Sequence, residues 1–104
     1  MNMTTLFFVE NNSKANFITS HFPSHCCQVI STNGHFRKFD VTEKKYIEIH
    51  DKCQYIRNRL KKIDSSTTII YFAMDCSPEG DLLSWHIQDE FQIQNGKRLF
   101  YSSM

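Results

Sequence analysis

The sequence has little glycine and proline and no long apolar run. Its 104 residues include three Gly and two Pro, so the chain has neither a collagen-like nor a low-complexity composition. No stretch reaches the roughly 18 apolar residues of a membrane span. The first residues also lack the charged and apolar regions of a signal peptide. We therefore expect a cytoplasmic protein with no membrane partner.

An excess of charge of one sign is also missing. The chain has 12 Lys and Arg against 11 Asp and Glu, which gives a net charge of +1 with His neutral. No overall field therefore attracts it to nucleic acid or to a membrane surface. Any contact with DNA has to be local.

The cysteines lack a metal-binding pattern. Cys26, Cys27, Cys53 and Cys76 form no Cys-x-x-Cys pair and none of the ligand spacings of a zinc site. We interpret them as buried free thiols. The chain does have 40% hydrophobic and 13% aromatic residues, which at this length suit one core. We expect a single domain over residues 1–104.

A strand, an acidic turn and a helix are predicted in succession over residues 68–87. Thr68–Met74 is β-branched, aromatic and apolar, as in a strand buried on both faces. Asp75 ends that strand, Ser77 is a helix cap and Pro78 suits a first helical turn. In open α/β sheets ligands bind beyond the carboxyl ends of strands, where Asp75 and Glu79 would lie. The apolar side of the helix is assigned to Leu82, Leu83, Trp85 and Ile87, with Leu82 and Trp85 in the core.

The other elements follow from periodicity and turn residues. In chain order they are strand Leu6–Val9 ending at Glu10, a cap within Asn11–Ser13, helix Lys14–Phe22, strand Cys26–Ser31, a turn at Asn33–Gly34, a basic and aromatic segment His35–Phe39, an exposed loop Asp40–Lys45, an extended piece Tyr46–Ile49, helix Asp51–Ile63, a polar turn Gln92–Lys97 and strand Arg98–Ser102.

This alternation of short strands and amphipathic helices predicts an α/β fold with about four mostly parallel strands flanked by helices. If the strands before Glu10 and Asp75 are neighbours, then Glu10, Asp75 and Glu79 meet at one edge of the sheet. Carboxylate oxygens are the ligands that Mg²⁺ prefers. Lys14, one helical turn from Glu10, would hold a phosphate or offset the acidic charge. Near this edge, phosphate contacts are also expected of His35, Arg37 and Lys38.

Four segments of the chain carry a resemblance to a known family: Val9–Ala15, Gly34–Arg37, Ala73–Asp81 and Ser84–Ile87. They occur in the order found in the Toprim domain of type IA DNA topoisomerases, the class of bacterial topoisomerase I. The corresponding family motifs read Val-Glu-Ser-Pro-x-Lys-Ala, Gly-His-x-Arg-Asp-Leu-Pro, Ala-Thr-Asp-x-Asp-Arg-Glu-Gly-Glu and Ala-Trp-His-Leu. The chain resembles that domain over nearly its whole length, which implies the Toprim (Rossmann-like) fold.

The resemblance implies a role for each matching residue. Glu10 corresponds to the glutamate at the scissile phosphate, which is associated with proton transfer to the leaving sugar oxygen and with the metal. Lys14 corresponds to the lysine that contacts this phosphate. Asp75 and Glu79 correspond to the first and last acids of the family's magnesium-binding run, so Mg²⁺ is the implied cofactor.

Two departures from the family bear on activity. Ser77 replaces the middle acid of the magnesium-binding run and Pro78 replaces the arginine after it. A neutral hydroxyl is a weaker ligand than a carboxylate, so Mg²⁺ binding should be weakened or lost. The family's nucleophile is a tyrosine of a separate domain, and no tyrosine here lies in a matching motif: Tyr46, Tyr55, Tyr71 and Tyr101.

The leading hypothesis is a Toprim domain of a type IA topoisomerase-like protein, an isomerase that cleaves and rejoins DNA strands. Its partners would be single-stranded DNA and the remaining topoisomerase domains, or a second chain carrying the tyrosine. One alternative is a free-standing Toprim-like nuclease that uses Glu10, Asp75 and Glu79 with metal. The other is a non-catalytic DNA-binding or interaction module.

Overall fold

The structure is a computed structural model that describes residues 3–22 and 26–99. Six strands, the last of them only two residues long, three α-helices and a short 3-10 helix, Ser65–Thr67, are formed by the described residues. They are β1 Thr4–Val9, α1 Asn12–His21, β2 Cys27–Ser31, β3 Arg37–Asp40, β4 Lys45–Glu48, α2 His50–Leu60, β5 Thr68–Phe72, α3 Pro78–Phe91 and β6 Lys97–Arg98. None of the described helices is long and apolar enough to cross a membrane.

The main sheet has the strand order β2-β1-β5-β6. Its three pairings are all parallel, and β1 lies between β2 and β5 in register Phe8↔Ile30 and Phe8↔Phe72. This confirms the predicted α/β class, and it fulfils the condition set for the acidic site, since the strands that precede Glu10 and Asp75 are neighbours. Parallel strands place their carboxyl ends at one edge, so the two acidic turns meet there.

Helices cover both faces of this sheet. On one face Leu6, Phe8 and Phe72 form a buried core with Ile56 of α2 and Leu83 of α3. On the other face Phe7, Val9 and Ala73 pack with Ile18 of α1. With a helix on each side, β1 is buried at four consecutive residues, Leu6–Val9. Strand β5 alternates instead, because Ile69 is 37% exposed, so the prediction that it is buried on both faces was wrong at this residue.

A two-stranded antiparallel hairpin stands apart from the main sheet. Strands β3 and β4 pair from Arg37↔Glu48 to Asp40↔Lys45. The sequence predicted an exposed loop over Asp40–Lys45, whereas the turn comprises residues 41–44 alone. The Asp40 carboxylate accepts from the backbone N–H groups of Thr42 and Glu43, at 2.9 and 3.3 Å. Lys44 takes a left-handed φ of 54°, and together these features close the turn.

Several residues differ from expectation in burial. Leu82 is 37% and Trp85 49% exposed, so their assignment to the core was wrong. Leu83 and Ile87, one helical turn apart, form the buried side of α3 as predicted. Cys27 and Cys53 are buried, but Cys26 is half-buried and Cys76 is exposed, so the interpretation as buried thiols fails for Cys76. The predicted last strand lies outside the described residues beyond Leu99.

Candidate functional site

Glu10 and Asp75 meet at the carboxyl edge of the main sheet. Glu10 follows β1 directly, and Asp75 follows the buried residues Ala73 and Met74 after β5. The Ala73 N–H extends the β1–β5 pairing by donating to the Phe8 carbonyl at 2.8 Å. Two residues after Ala73, the Asp75 backbone N–H donates to Glu10 Oε1 at 3.0 Å. The parallel register therefore carries both acids to one point.

Lys14 supplies a cation to this pair of acids. The Asn11 side chain caps α1 by accepting from the Lys14 backbone N–H at 2.9 Å, which fixes the first turn of the helix. The Lys14 ammonium then contacts Asp75 Oδ1 directly and lies 4.0 Å from Glu10 Oε1. A cation thus stands between two carboxylates at the end of the sheet.

The surroundings shift the pKa values of Glu10 and Asp75 in opposite directions. Burial raises the pKa of Glu10, as do the side chain and the charge of Asp75, against the lowering effects of the Asp75 backbone N–H and of Lys14. The hydrogen bond from Lys14 is the main reason that the pKa of Asp75 is lowered. Glu10 is therefore the acid that retains a proton more readily, and Asp75 is the acid that stays ionised.

The turn after Asp75 is shaped by Ser77 and Gly80. Ser77 Oγ caps α3, as predicted, and accepts from the Gly80 N–H at 3.1 Å. A Cβ on Gly80 would overlap the Asp75 carbonyl oxygen, so only glycine permits this close approach of helix and turn. The hydroxyl at the position of the family's middle acid thus has a structural role as a cap.

Glu79 forms a separate pair with His35. On the first turn of α3, Glu79 Oε1 lies 2.8 Å from His35 Nε2. The His35 loop is held by two contacts: the Lys52 ammonium donates to the carbonyls of Asn33 and His35 at 2.9 and 3.2 Å, and the Gly34 N–H donates to the Glu10 carbonyl at 2.9 Å. The loop is thereby joined to Glu10 through its backbone.

Arg37 and Lys38 have different surroundings from those of His35. The Arg37 side chain is only 9% exposed and binds Asp89 at 2.8 Å and Glu90 at 2.9 Å. A further Arg37 nitrogen donates to Nδ1 of buried His86 at 3.1 Å. Lys38 is exposed on β3. The Arg37 guanidinium is thus occupied by side chains of α3, while the Lys38 side chain is exposed to solvent.

The sequence reasoning missed the part that Arg98 plays at the acidic turn. Its guanidinium donates to the carbonyls of Phe72 and Met74 at 3.3 and 2.9 Å, and more closely to that of Asp75. It also donates to Asp81 Oδ1 at 3.2 Å. The signal was an arginine in a strand after the acidic turn, but only the pairing of β6 with β5 makes that position significant.

The donor chemistry of the site suits a hard divalent cation. Glu10 and Asp75 offer carboxylate oxygens at the edge of the sheet. Glu79 offers another from the first turn of α3 but turns to His35, and among the described residues the ligand atoms of these three acids do not all lie within 4.8 Å of one another. Such oxygen ligands are those that Mg²⁺ and Mn²⁺ prefer. Lys14 competes with a metal for Asp75, and Ser77 adds a neutral oxygen only.

A second group of possible ligands comes from β4, α2 and α3. Within residues 3–22 and 26–99, the ligand atoms of Glu48, Cys53 and Glu90 are all within 4.8 Å of one another. Arg57 donates to both carboxylates, at 2.7 and 2.9 Å. Burial raises the pKa of the Cys53 thiol, which opposes the thiolate that a metal requires. We interpret this group as an ion-pair network that joins β4, α2 and α3.

The sequence model of the Toprim domain matches residues 5–104. The chain therefore belongs to the Toprim domain family. Toprim domains bind divalent metals, and this membership supports a metal-binding role in nucleic-acid processing. No curated protein matches the chain closely enough to serve as a relative.

Proposed function

We propose that the chain is the Toprim domain of a type IA DNA topoisomerase-like protein and acts in DNA strand cleavage and rejoining. The observation that carries the proposal is the contact of Lys14 with Asp75, beside Glu10, at the carboxyl edge of the sheet. The nucleophilic tyrosine would come from another domain or from a partner chain. By itself the chain should therefore leave supercoiled DNA unrelaxed.

In this proposal Lys14, Glu10 and Asp75 each have a separate role in the cleavage of one phosphodiester bond. The Lys14 ammonium neutralises the charge that develops on the phosphoryl oxygens. In cleavage the tyrosine oxygen would bond to phosphorus, with its proton passing to solvent, and the bond from phosphorus to the sugar oxygen would break. Glu10, whose pKa is raised by burial, donates its proton to that leaving sugar oxygen, and rejoining reverses both bond changes and returns the proton to Glu10. Asp75 remains ionised beside Lys14 and holds the ammonium in place.

A divalent cation would be held by Asp75, Glu79 and Glu10. Mg²⁺, when bound, would supply additional positive charge for the phosphate. With Ser77 in place of a third clustered acid, the affinity for metal should be low, since affinity rises with the number of charged ligands. We also propose that His35, which is paired with Glu79, and exposed Lys38 contact the DNA backbone. Arg37 supports them by positioning the hairpin.

One observation favours the non-catalytic module as a second candidate. The Lys14 ammonium already neutralises the Asp75 carboxylate, and Ser77 acts as a helix cap. Asp75 therefore needs no metal ion to balance its negative charge. In that case the fold would bind phosphate through Lys14 and make no use of Mg²⁺.

Calorimetric titration with MgCl₂ and MnCl₂ separates these candidates. The unmodified chain should bind at millimolar or better affinity, and Ser77→Asp should bind about tenfold more tightly because it adds a charged ligand. Aspartate also caps helices well, so this variant should keep the fold. Ser77→Asn is the matched control, since it caps without adding charge. If only Ser77→Asp binds metal, the non-catalytic module replaces the topoisomerase proposal.

Strand cleavage tests the catalytic residues. When this chain replaces the Toprim domain of a bacterial type IA topoisomerase, the chimera should relax supercoiled DNA. Glu10→Gln and Lys14→Met should each abolish relaxation, and Tyr55→Phe on α2 should have no effect. A free-standing nuclease would instead cut DNA without any tyrosine domain, and Glu10→Gln would stop this cutting.

A further inference from the structure

An exposed apolar surface lies where the hairpin meets α3. It consists of Phe39 on β3, Tyr46 on β4, and Leu82 and Trp85 on α3, and we call it the ring surface. These residues are 51%, 40%, 37% and 49% exposed. The ring centroids of Phe39 and Tyr46 are 5.3 Å apart, and those of Tyr46 and Trp85 are 6.5 Å apart. Adjoining apolar side chains at this exposure are more typical of an interaction surface than of scattered surface residues.

The rings of this surface are held in place by the fold. The Tyr46 ring packs edge-on against buried His86, with centroids 4.4 Å apart. Arg37 joins the hairpin to α3 through Asp89 at 2.8 Å, and its guanidinium lies 5.9 Å from the centre of the Trp85 ring. A partner would therefore meet rings that are already ordered, which reduces the entropy lost on binding.

The hairpin separates the ring surface from the lysines of its strands. Phe39 lies directly opposite Tyr46 in the β3–β4 pairing, so the two rings project to the same side of the hairpin. The neighbouring positions Lys38 and Lys45 project to the other side, since side chains alternate along a strand. These lysines thus add no positive charge around the rings.

Carboxylates border the ring surface along α3. Asp81 and Asp89 lie four positions before and after Trp85, so the three side chains are neighbours on one side of the helix. The Asp81 side chain is 67% exposed, while its partner Arg98 is 15% exposed. The Asp89 side chain is 51% exposed, while its partner Arg37 is 9% exposed. In both pairs the cation is covered and the carboxylate faces solvent, so the surface presents negative charge beside Trp85.

This arrangement favours a cationic protein segment over nucleic acid. Nucleic acid carries a negative charge at each phosphate, which Asp81 and Asp89 would repel. An aromatic centre with a polar rim is the usual anatomy of a protein–protein interface, and arginine binds both carboxylates and aromatic rings. Asp81 and Asp89 are also two helical turns apart, about 12 Å along the axis of α3. Basic side chains two turns apart on a facing helix have the same spacing.

We propose that the ring surface binds a basic amphipathic helix of a partner protein. An apolar side chain of that helix packs on Leu82 and Trp85. Arginines four residues before and after it face Asp81 and Asp89. Binding requires neither metal nor DNA, so it is independent of the proposed cleavage chemistry. Because the charged contacts are exposed, the affinity should fall as salt is raised.

The probe is a fluorescein-labelled, alanine-based helical peptide with leucines on one side and an arginine one turn before and one turn after them. Its anisotropy should rise to saturation as the chain is added in EDTA. Trp85→Ala should weaken binding about 30-fold or more, as the loss of a central aromatic residue does. Tyr55→Ala is the matched control, because Tyr55 is 45% exposed on α2 and its loss should leave binding unchanged.

A second comparison tests the charges without relying on Trp85. Asp81→Asn and Asp89→Asn should each weaken binding of the arginine peptide about 2-fold to 5-fold, the range for an exposed ion pair. Against a peptide in which glutamine replaces both arginines, the two variants should have no effect. This non-additivity identifies the carboxylates as the partners of the arginines, and circular dichroism checks that each variant is folded.

Several results would overturn the inference. One is unchanged binding by Trp85→Ala, and another is the absence of binding by the arginine peptide. Equal binding of a peptide with serine in place of leucine would reduce the contact to charge attraction alone. Displacement of the peptide by oligothymidylate would assign the surface to nucleic acid. Trp85 is the only tryptophan, so a shift of its emission with protein concentration alone would assign the surface to a second copy of the chain.

Discussion

At the scale of single residues, the Glu10 carboxyl has a proton affinity that the fold changes in a defined direction. Its pKa is raised, chiefly by burial and further by the side chain and charge of Asp75, against the lowering effects of the Asp75 backbone N–H and of Lys14. The protonated form is thus favoured in the folded state. The stability from this effect is fully present below the ordinary glutamate pKa, about 4.3. It is lost as the pH rises through the raised pKa.

Glu10→Gln should therefore stabilise the chain at pH 7 and leave it nearly unchanged at pH 4. The amide oxygen of glutamine still accepts the Asp75 N–H, and the variant carries no charge to lose. Thermal unfolding followed by circular dichroism at both pH values measures the difference. Glu43→Gln in the exposed hairpin turn is the control, with equal effects at both pH values. A Glu10→Gln variant that is less stable at pH 7 than at pH 4, relative to the unmodified chain, would contradict the sign.

The sequence predicted the positions of the acidic residues of the site better than it predicted their side-chain partners. Glu10 and Asp75 each directly follow an apolar strand and were expected to lie together if the two strands were neighbours. The strands are neighbours, and the Asp75 backbone N–H lies 3.0 Å from Glu10 Oε1. Side-chain partners were not predictable in this way. The pairing of Glu79 with His35 depends on a 44-residue separation that the fold closes, and no local pattern encodes such a contact.

At the scale of elements, the β3–β4 hairpin depends on α3 for its position. Hairpins of two short strands are marginally stable alone. Arg37 supplies an anchor through Asp89, Glu90 and His86. Because its side chain is 9% exposed, the acids around it lose a largely desolvated partner if it is removed.

Arg37→Met should lower the free energy of unfolding by about 2–3 kcal/mol, since a mostly buried charged hydrogen-bond donor is lost. Lys38→Met on the adjacent exposed position should change it by less than about 0.5 kcal/mol. Urea unfolding monitored by circular dichroism measures both values. If Arg37 served only to contact phosphate, its loss would leave stability unaffected and weaken DNA binding alone.

The periodicity of α3 shows where sequence reasoning reached its limit. Leu82 and Trp85 are three positions apart, and Leu83 and Ile87 are four positions apart, so both pairs are compatible with a helical face. The sequence could not decide which pair packs on the sheet. Gly80, which approaches the Asp75 carbonyl closely, is buried together with Leu83 and Ile87, and a contact between Gly80 and a residue of another segment is not visible in the periodicity. The hairpin was missed because its strands are four residues each and lack an apolar alternation.

At the scale of the whole molecule, the buried His86 makes stability depend on pH in the direction opposite to Glu10. Burial lowers the pKa of His86, with smaller effects in the same direction from Arg37 and His35. The neutral ring is thus favoured in the folded state, and it accepts from Arg37 at Nδ1. This stability is present above the ordinary histidine pKa, about 6.5, and is lost as the pH falls through the lowered pKa.

Urea unfolding should therefore show a decline in stability between pH 8 and pH 5, and His86→Gln should remove most of that decline. Glutamine accepts from Arg37 without titrating, although its looser packing lowers stability at both pH values. His21→Gln on exposed α1 should keep the decline. If His86→Gln keeps it as well, the dependence arises from other groups.

The overall architecture was the most predictable level. Alternating apolar runs and amphipathic segments gave the parallel sheet with helices on both faces, since this pattern has few alternative arrangements. The strand order β2-β1-β5-β6 agrees with the predicted neighbourhood of the acidic turns. A last strand was predicted over Arg98–Ser102, and its described part, β6, begins one residue earlier at Lys97. Its position beside β5 was not predicted, because no local pattern encodes which strand it pairs with.

The contacts of Arg98 bear on the order of events during synthesis. This residue near the end of the described chain donates to the backbone carbonyls of Met74 and Asp75 in the acidic turn, whereas Glu10 and Lys14 emerge from the ribosome before it. The acidic turn thus lacks its last support until residue 98 has left the ribosomal tunnel. A nascent chain shorter than this would contain most of the Toprim sheet without a finished site. The carboxyl edge that carries Glu10, Lys14 and Asp75 would therefore take its final form late, after most of the sheet has folded.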